Sequence, residues 1–91
     1  MKYAVKTTNR FLKDYKLMER RGRNLSLLDQ VITKLAQGVP LSENNRDHML
    51  TGGWAGHREC HIQPDWLLIY RIESDVLVLT LTRTGAHSDL F

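Results

Sequence analysis

What this chain lacks narrows it first. It has one cysteine, Cys60, so no internal disulfide is available, and that residue reads as a small strand side chain in a reducing cytoplasm. No apolar run approaches ~18 residues and no hydrophobic signal segment opens the sequence, so neither a membrane span nor a membrane partner is expected. Two prolines and six glycines are spread without repeats, linkers or low-complexity tracts. Gly52-Gly53 lacks the lysine and the following helix of a phosphate-cradling loop. There is no G-x-S-x-G, and Ser88 beside His87 is not in a nucleophile elbow. No pair of metal ligands at i,i+3 or i,i+4 falls on a predicted helix, and an arginine near the histidines would repel a divalent cation. The expectation is a site with no metal and no cofactor.

Acidic side chains are scarce at one end. Residues 1–23 carry eight basic groups, Lys2, Lys6, Arg10, Lys13, Lys16, Arg20, Arg21 and Arg23, against Asp14 and Glu19. That segment is +6 and the remainder −3, giving the net +3. Such a segment suits attraction to a polyanion, with Lys13, Lys16 and Arg20 as the candidate contacts, or a solvated helix face. With 91 residues, 42% hydrophobic and 25% charged, the chain reads as one globular domain near the lower end of what folds alone.

Periodicity supplies the elements. Tyr3–Thr7 is β-prone, and Thr8 or Asn9 is placed to cap a helix whose apolar stripe is Phe11, Leu12, Tyr15 and Met18. Gly22 ends it. Asn24 or Ser26 caps a second helix with Leu28, Val31, Ile32 and Leu35 as its stripe, stopped by Gly38 and Val39-Pro40. Residues 39–52 read as a polar loop. Alternation then predicts strands over Trp54–Ile62, Trp66–Ile72 and Val76–Thr82, with turns at Gln63-Pro64-Asp65 and Glu73-Ser74-Asp75. Trp66–Tyr70 is apolar on both faces, as a central strand requires. The predicted order is β-α-α-β-β-β, an α+β domain. An antiparallel helical hairpin packs on a twisted, mainly antiparallel sheet of about four strands.

Chemistry concentrates after residue 46. His48, His61, Asp65, Arg83 and His87 all fall at loop–strand junctions, where functional groups of small sheets collect. Histidines move protons near neutral pH and an arginine neutralises a phosphorane, which is what metal-free phosphodiester cleavage needs. His57, inside a predicted strand, is the least suggestive of the four histidines. His61 shares a strand face with Glu59 and is positioned to pair with it. Trp66 reads as core or as a surface on which an RNA base stacks. A closing Leu90-Phe91 is unusual for a chain end and suggests a role at the site, in docking the His87 segment or touching RNA.

The sequence resembles the YafQ-type branch of the RelE/ParE superfamily of bacterial type II toxins. The resemblance covers the whole chain. Its specific part is Asp47-His48, Gly-Gly-Trp, Arg58 to His61, Pro64-Asp65-Trp66 and Arg83-Thr84-Gly85-x-His87 through Leu90-Phe91. It implies an endoribonuclease that enters the ribosomal A site and cuts translated mRNA, restrained by a cognate antitoxin, a DNA-binding dimer in hetero-oligomeric complex with the toxin. It places functional positions at His48, His61, Asp65, Trp66, Arg83, His87 and Phe91. The implied mechanism is attack by the ribose 2′-oxygen, with His87 as general acid and the base open among His48, His61 and Asp65. Two other classes remain: a ParE-like, non-catalytic inhibitor of gyrase, and a simple nucleic-acid-binding module using the first helix.

Overall fold

The computed structural model describes residues 2–73 and 78–91. In order, the elements are β1 (Ala4–Thr7), α1 (Asn9–Arg20), α2 (Leu25–Gln37), β2 (His48–Met49), β3 (Arg58–Gln63), β4 (Trp66–Glu73), β5 (Val78–Gly85) and α3 (His87–Leu90). The five strands form one sheet in the order β1-β5-β4-β3-β2. Among the described residues only β1 and β5 run parallel, and every other pairing is antiparallel.

Local chemistry accounts for the helix ends. Thr8 caps α1, its hydroxyl oxygen accepting from Phe11 N–H at 3.0 Å. Asn24 caps α2 by accepting from Ser26 N–H at 3.1 Å. Caps of this kind are each worth about 1 kcal/mol. Gly38 ends α2 at φ 72°, a left-handed conformation that an L side chain resists. A Cβ there would also meet Lys2 Cδ at 2.7 Å.

β4 is the middle strand and is buried on both faces, as its unbroken apolar run predicts. Trp66, Leu68 and Tyr70 face α1 and α2 and join Phe11, Met18, Leu28, Val31 and Leu35 in the main core. Leu67 and Ile69 face the other way and form a smaller core with Leu90, bordered by Leu50 and Trp54. The second core seats α3 on the sheet face opposite the long helices.

Several expectations need correction. The sheet has five strands, because His48–Met49 pairs with Arg58–Glu59 inside what reads as a polar loop. The strand expected from Trp54 begins only at Arg58; Gly52–Trp54 is a 3-10 turn, and Gly52 and Gly56 both adopt positive φ. His57 therefore precedes a strand rather than lying within one. Leu12 is 46% exposed and sits off the α1 stripe, while Asp14 is buried. Of the expected turn at residues 73–75, positions 74 and 75 lie outside the described residues, as do 76 and 77 at the start of the last predicted strand.

Candidate active site

Strand register assembles the site. His48 on β2 pairs with Glu59 on β3, Glu59 with Ile69 on β4, and Ile69 with Arg83 on β5. Directly paired residues project to the same face. The row thus starts on the side of the smaller core, and at its β5 end the Arg83 side chain reaches Asp14 on α1. His61, Leu67 and Gly85 form the next row, and α3 follows directly from it.

Glu59 organises the histidine end. Its carboxylate is nearly buried, and one oxygen, Oε1, lies 3.8 Å from His48 Nε2 and 3.7 Å from His61 Nε2. Each ring is also anchored through its other nitrogen. His48 Nδ1 donates to the Arg46 carbonyl at 2.7 Å, and His61 Nδ1 to the Pro64 carbonyl at 3.3 Å. A carbonyl oxygen only accepts, so in both rings Nδ1 carries hydrogen and Nε2 turns toward the shared carboxylate. The pairing of His61 with Glu59 expected from strand alternation is present, and His48 joins it.

Arg83 is held from a distance of 69 residues. Its Nε and Nη2 each donate to the Asp14 carboxylate at 2.9 Å, and Thr84 N–H donates to the same carboxylate at 3.2 Å. The two-point bond, ahead of burial, keeps the guanidinium pKa above its usual value. The arginine is fixed and permanently charged, with Nη1 left outside the fork.

His87 stands exposed at the start of α3. Its backbone N–H donates to Asp65 Oδ1 at 3.4 Å, tying α3 to the β3–β4 turn. Asp89 accepts from Ala86 N–H at 2.9 Å and forms a fork with Arg21 at 2.7 and 3.3 Å. The His87 ring lies 4.9 Å from that of Phe91, which meets Trp54 edge-on at 6.4 Å; Trp54 in turn meets His57 at 5.4 Å. Phe91 is 52% exposed.

Trp66 is not a stacking surface. It is fully buried, its indole N–H donates to Thr84 Oγ1 at 3.0 Å, and that hydroxyl donates to the Leu67 carbonyl at 2.7 Å. Truncating such a residue would cost roughly 3–5 kcal/mol of stability, whatever its effect on RNA. Phe91, partly covered by Trp54, is the aromatic ring offered to solvent. Lys13, Lys16 and Arg20 are exposed on α1 and, among the described residues, form no hydrogen bond or ion pair with the other site residues. The contacts thus bring together His48, Glu59 and His61, and separately Asp65, His87 and Phe91. Asp14 was missed in the sequence, and Glu59 was read only as a partner of His61, because their full meaning lies in the partners the fold gives them.

A model of the bacterial YafQ toxins of type II toxin–antitoxin systems matches residues 3–91. The chain belongs to that family. It is 35% identical over 88 residues to the mRNA interferase toxin YafQ of Escherichia coli K12, covering 96% of this chain and 94% of that protein. Its fold superposes on a metal-bound toxin from Helicobacter pylori with a TM-score of 0.92 and 42% identity, covering 98% of this chain and 99% of the other. It likewise matches the Escherichia coli DinJ-YafQ toxin-antitoxin complex, with TM-score 0.89, 34% identity, and coverage of 100% and 99%. Among YafQ-family chains, then, this one carries its histidine, arginine and aromatic groups on the sheet face just described.

Proposed function

We propose that this chain is the toxin of a type II pair, a metal-independent endoribonuclease that cuts translated mRNA in the ribosomal A site. The observation that carries the reading is the fixed Arg83 in the same strand row as the His48–Glu59–His61 cluster, next to the row from which α3 and His87 emerge. In the proposed reaction the 2′-oxygen attacks phosphorus, leaving a 2′,3′-cyclic phosphate and a 5′-hydroxyl. His87, exposed and flanked by Phe91, donates the proton to the leaving 5′-oxygen, and Arg83 Nη1 meets the charge on the phosphorane. The base is drawn from His48, His61 and Asp65, each proton transfer being worth roughly 10²–10⁴-fold. Asp65 supports the site by holding the His87 backbone.

The YafQ of the DinJ complex supports a cognate antitoxin partner, taken here to be a DNA-binding dimer, in the cytoplasm. The experiment is to induce the chain in a bacterium and map 5′-hydroxyl ends on mRNA. In-frame ends within translated regions are expected; DNA damage without RNA ends would replace this reading with gyrase inhibition. Because a relative is described as metal-bound, cleavage by purified protein on ribosomes should also be followed in EDTA with ribosomal magnesium controlled. It should persist. Loss restored specifically by zinc, copper or manganese would overturn the metal-free mechanism.

A further inference from the structure

A hollow of about 600 Å³ lies beside His61, between the end of β3 and the 3-10 turn at Glu43–Asn45. Its size is within the range of a small-molecule subsite, and a single nucleoside fits that range. The turn that walls it also holds both histidines. Asn45 Nδ2 donates to the His61 carbonyl at 2.7 Å, and the Arg46 carbonyl takes the His48 ring N–H at 2.7 Å. Arg46 does this from φ 47°, a left-handed conformation that a residue with a side chain adopts at a cost. The hollow is therefore fixed relative to the histidine cluster.

Its polar groups form an unusual set. Gln63 uses its oxygen to accept from Arg23 at 3.0 Å, so its amide N–H₂ has no partner among the described residues. The Asn44 amide and the Arg46 guanidinium likewise bond to nothing among the described residues. Glu43 adds a carboxylate, cancelling the Arg46 charge, while Ile62 and Pro64 supply apolar wall. A phosphate site would be net positive. Two amides, one guanidinium and one carboxylate against an apolar wall are instead the groups that read base edges.

We propose that this hollow is the subsite for one nucleobase adjacent to the cut, and that Asn44 and Gln63 set the toxin's sequence preference. The proposal rests on the reading of the chain as an mRNA endonuclease. It concerns recognition, so it is tested by binding. The cleavage-silent His87→Ala protein would be titrated with RNAs differing in one nucleotide, both free and placed in the A site of programmed ribosomes. At one position next to the cut, affinity should spread about tenfold among the four bases. Asn44→Ala and Gln63→Ala should flatten that spread to less than about threefold. Gln63→Glu, which keeps the acceptor for Arg23 but loses the donor, should reorder the preference while leaving the melting temperature unchanged. Discrimination on free RNA alone would refute the ribosomal step and leave the subsite standing. Affinity that ignores the base, a preference that survives all three substitutions, or an effect confined to antitoxin binding would each overturn the proposal.

Discussion

Asp14 decides how Arg83 presents itself. An unrestrained arginine has many rotamers, whereas the Asp14 fork leaves one orientation and uses two of its donors. Asp14→Asn should therefore lower kcat for mRNA cleavage by about 10–10²-fold, the scale of a ~1 Å misplacement, while leaving KM equal or lower because Arg83 gains free positive charge. In an Arg83→Ala background the same change should add no further loss. Equal losses in both backgrounds would mean that Asp14 serves the fold and not Arg83. For His87, substitution by glutamine should reduce cleavage by about 10²–10⁴-fold while melting temperature and antitoxin binding hold, since Leu90 carries the packing of α3. Near wild-type cleavage by that variant would remove His87 as the acid. The histidines and Arg83 were legible in the sequence because their chemistry belongs to the side chain itself. The burial of Asp14 left no mark in the sequence, and Trp66 read as core or as a stacking surface until its burial decided for core, because burial is a property of the fold.

The elements were legible where periodicity was long. α1, α2 and β4 follow their apolar patterns, and the caps fall on Thr8 and Asn24. β2 was not, since two residues, His48 and Met49, carry no pattern and form a strand only because β3 offers an edge. α3 has only four residues and is held by its bonds to its surroundings: Asp65 to His87 N–H, Asp89 to Ala86 N–H, and Asp89 to Arg21. Arg21 pulls the Asp89 carboxyl pKa below the usual range. A lowered carboxyl pKa stabilises the fold above the unfolded value of about 3.9 and ceases to as pH falls through the lowered one. Asp89→Asn should therefore melt lower than the parent protein at about pH 6, and the gap should narrow as pH falls below the ordinary carboxylate range of about 3.9 and the parent's Asp89 takes up its proton. A gap that persists at the acidic end would assign the effect to packing against Gly85, whose missing Cβ would fall 3.1 Å from Asp89 Oδ2.

Across the whole molecule, charge and chemistry occupy different places. Lys13, Lys16 and Arg20 recur at helical spacing on the exposed side of α1, while His48 and His61 stand on the opposite sheet face and Arg83 is bonded to Asp14 on the buried side of α1. Replacing the three together by glutamine should weaken ribosome binding and reduce its salt dependence, with each lost phosphate contact lowering the slope by roughly 0.7–0.9. Thermal stability should change little because Phe11, Met18 and Asp14 face inward. An unaltered slope would identify the run as a solvated face. The α+β class and the mainly antiparallel sheet were legible from element order. The parallel β1–β5 pairing was not, because nothing in a four-residue strand names its neighbour.

That pairing has a consequence for timing. β1 takes its hydrogen bonds from β5, and Arg83 takes its orientation from Asp14, so the first-made part of the chain waits for the last-made part. Closing such a loop is entropically slow, and before it closes Arg83 has no fixed direction. A ribosome midway through synthesising this protein holds β1 and α1 without the strand that completes them. On the proposed reading, a chain still being made lacks the fixed Arg83 that cleavage requires, so activity is expected only once β5 has joined β1.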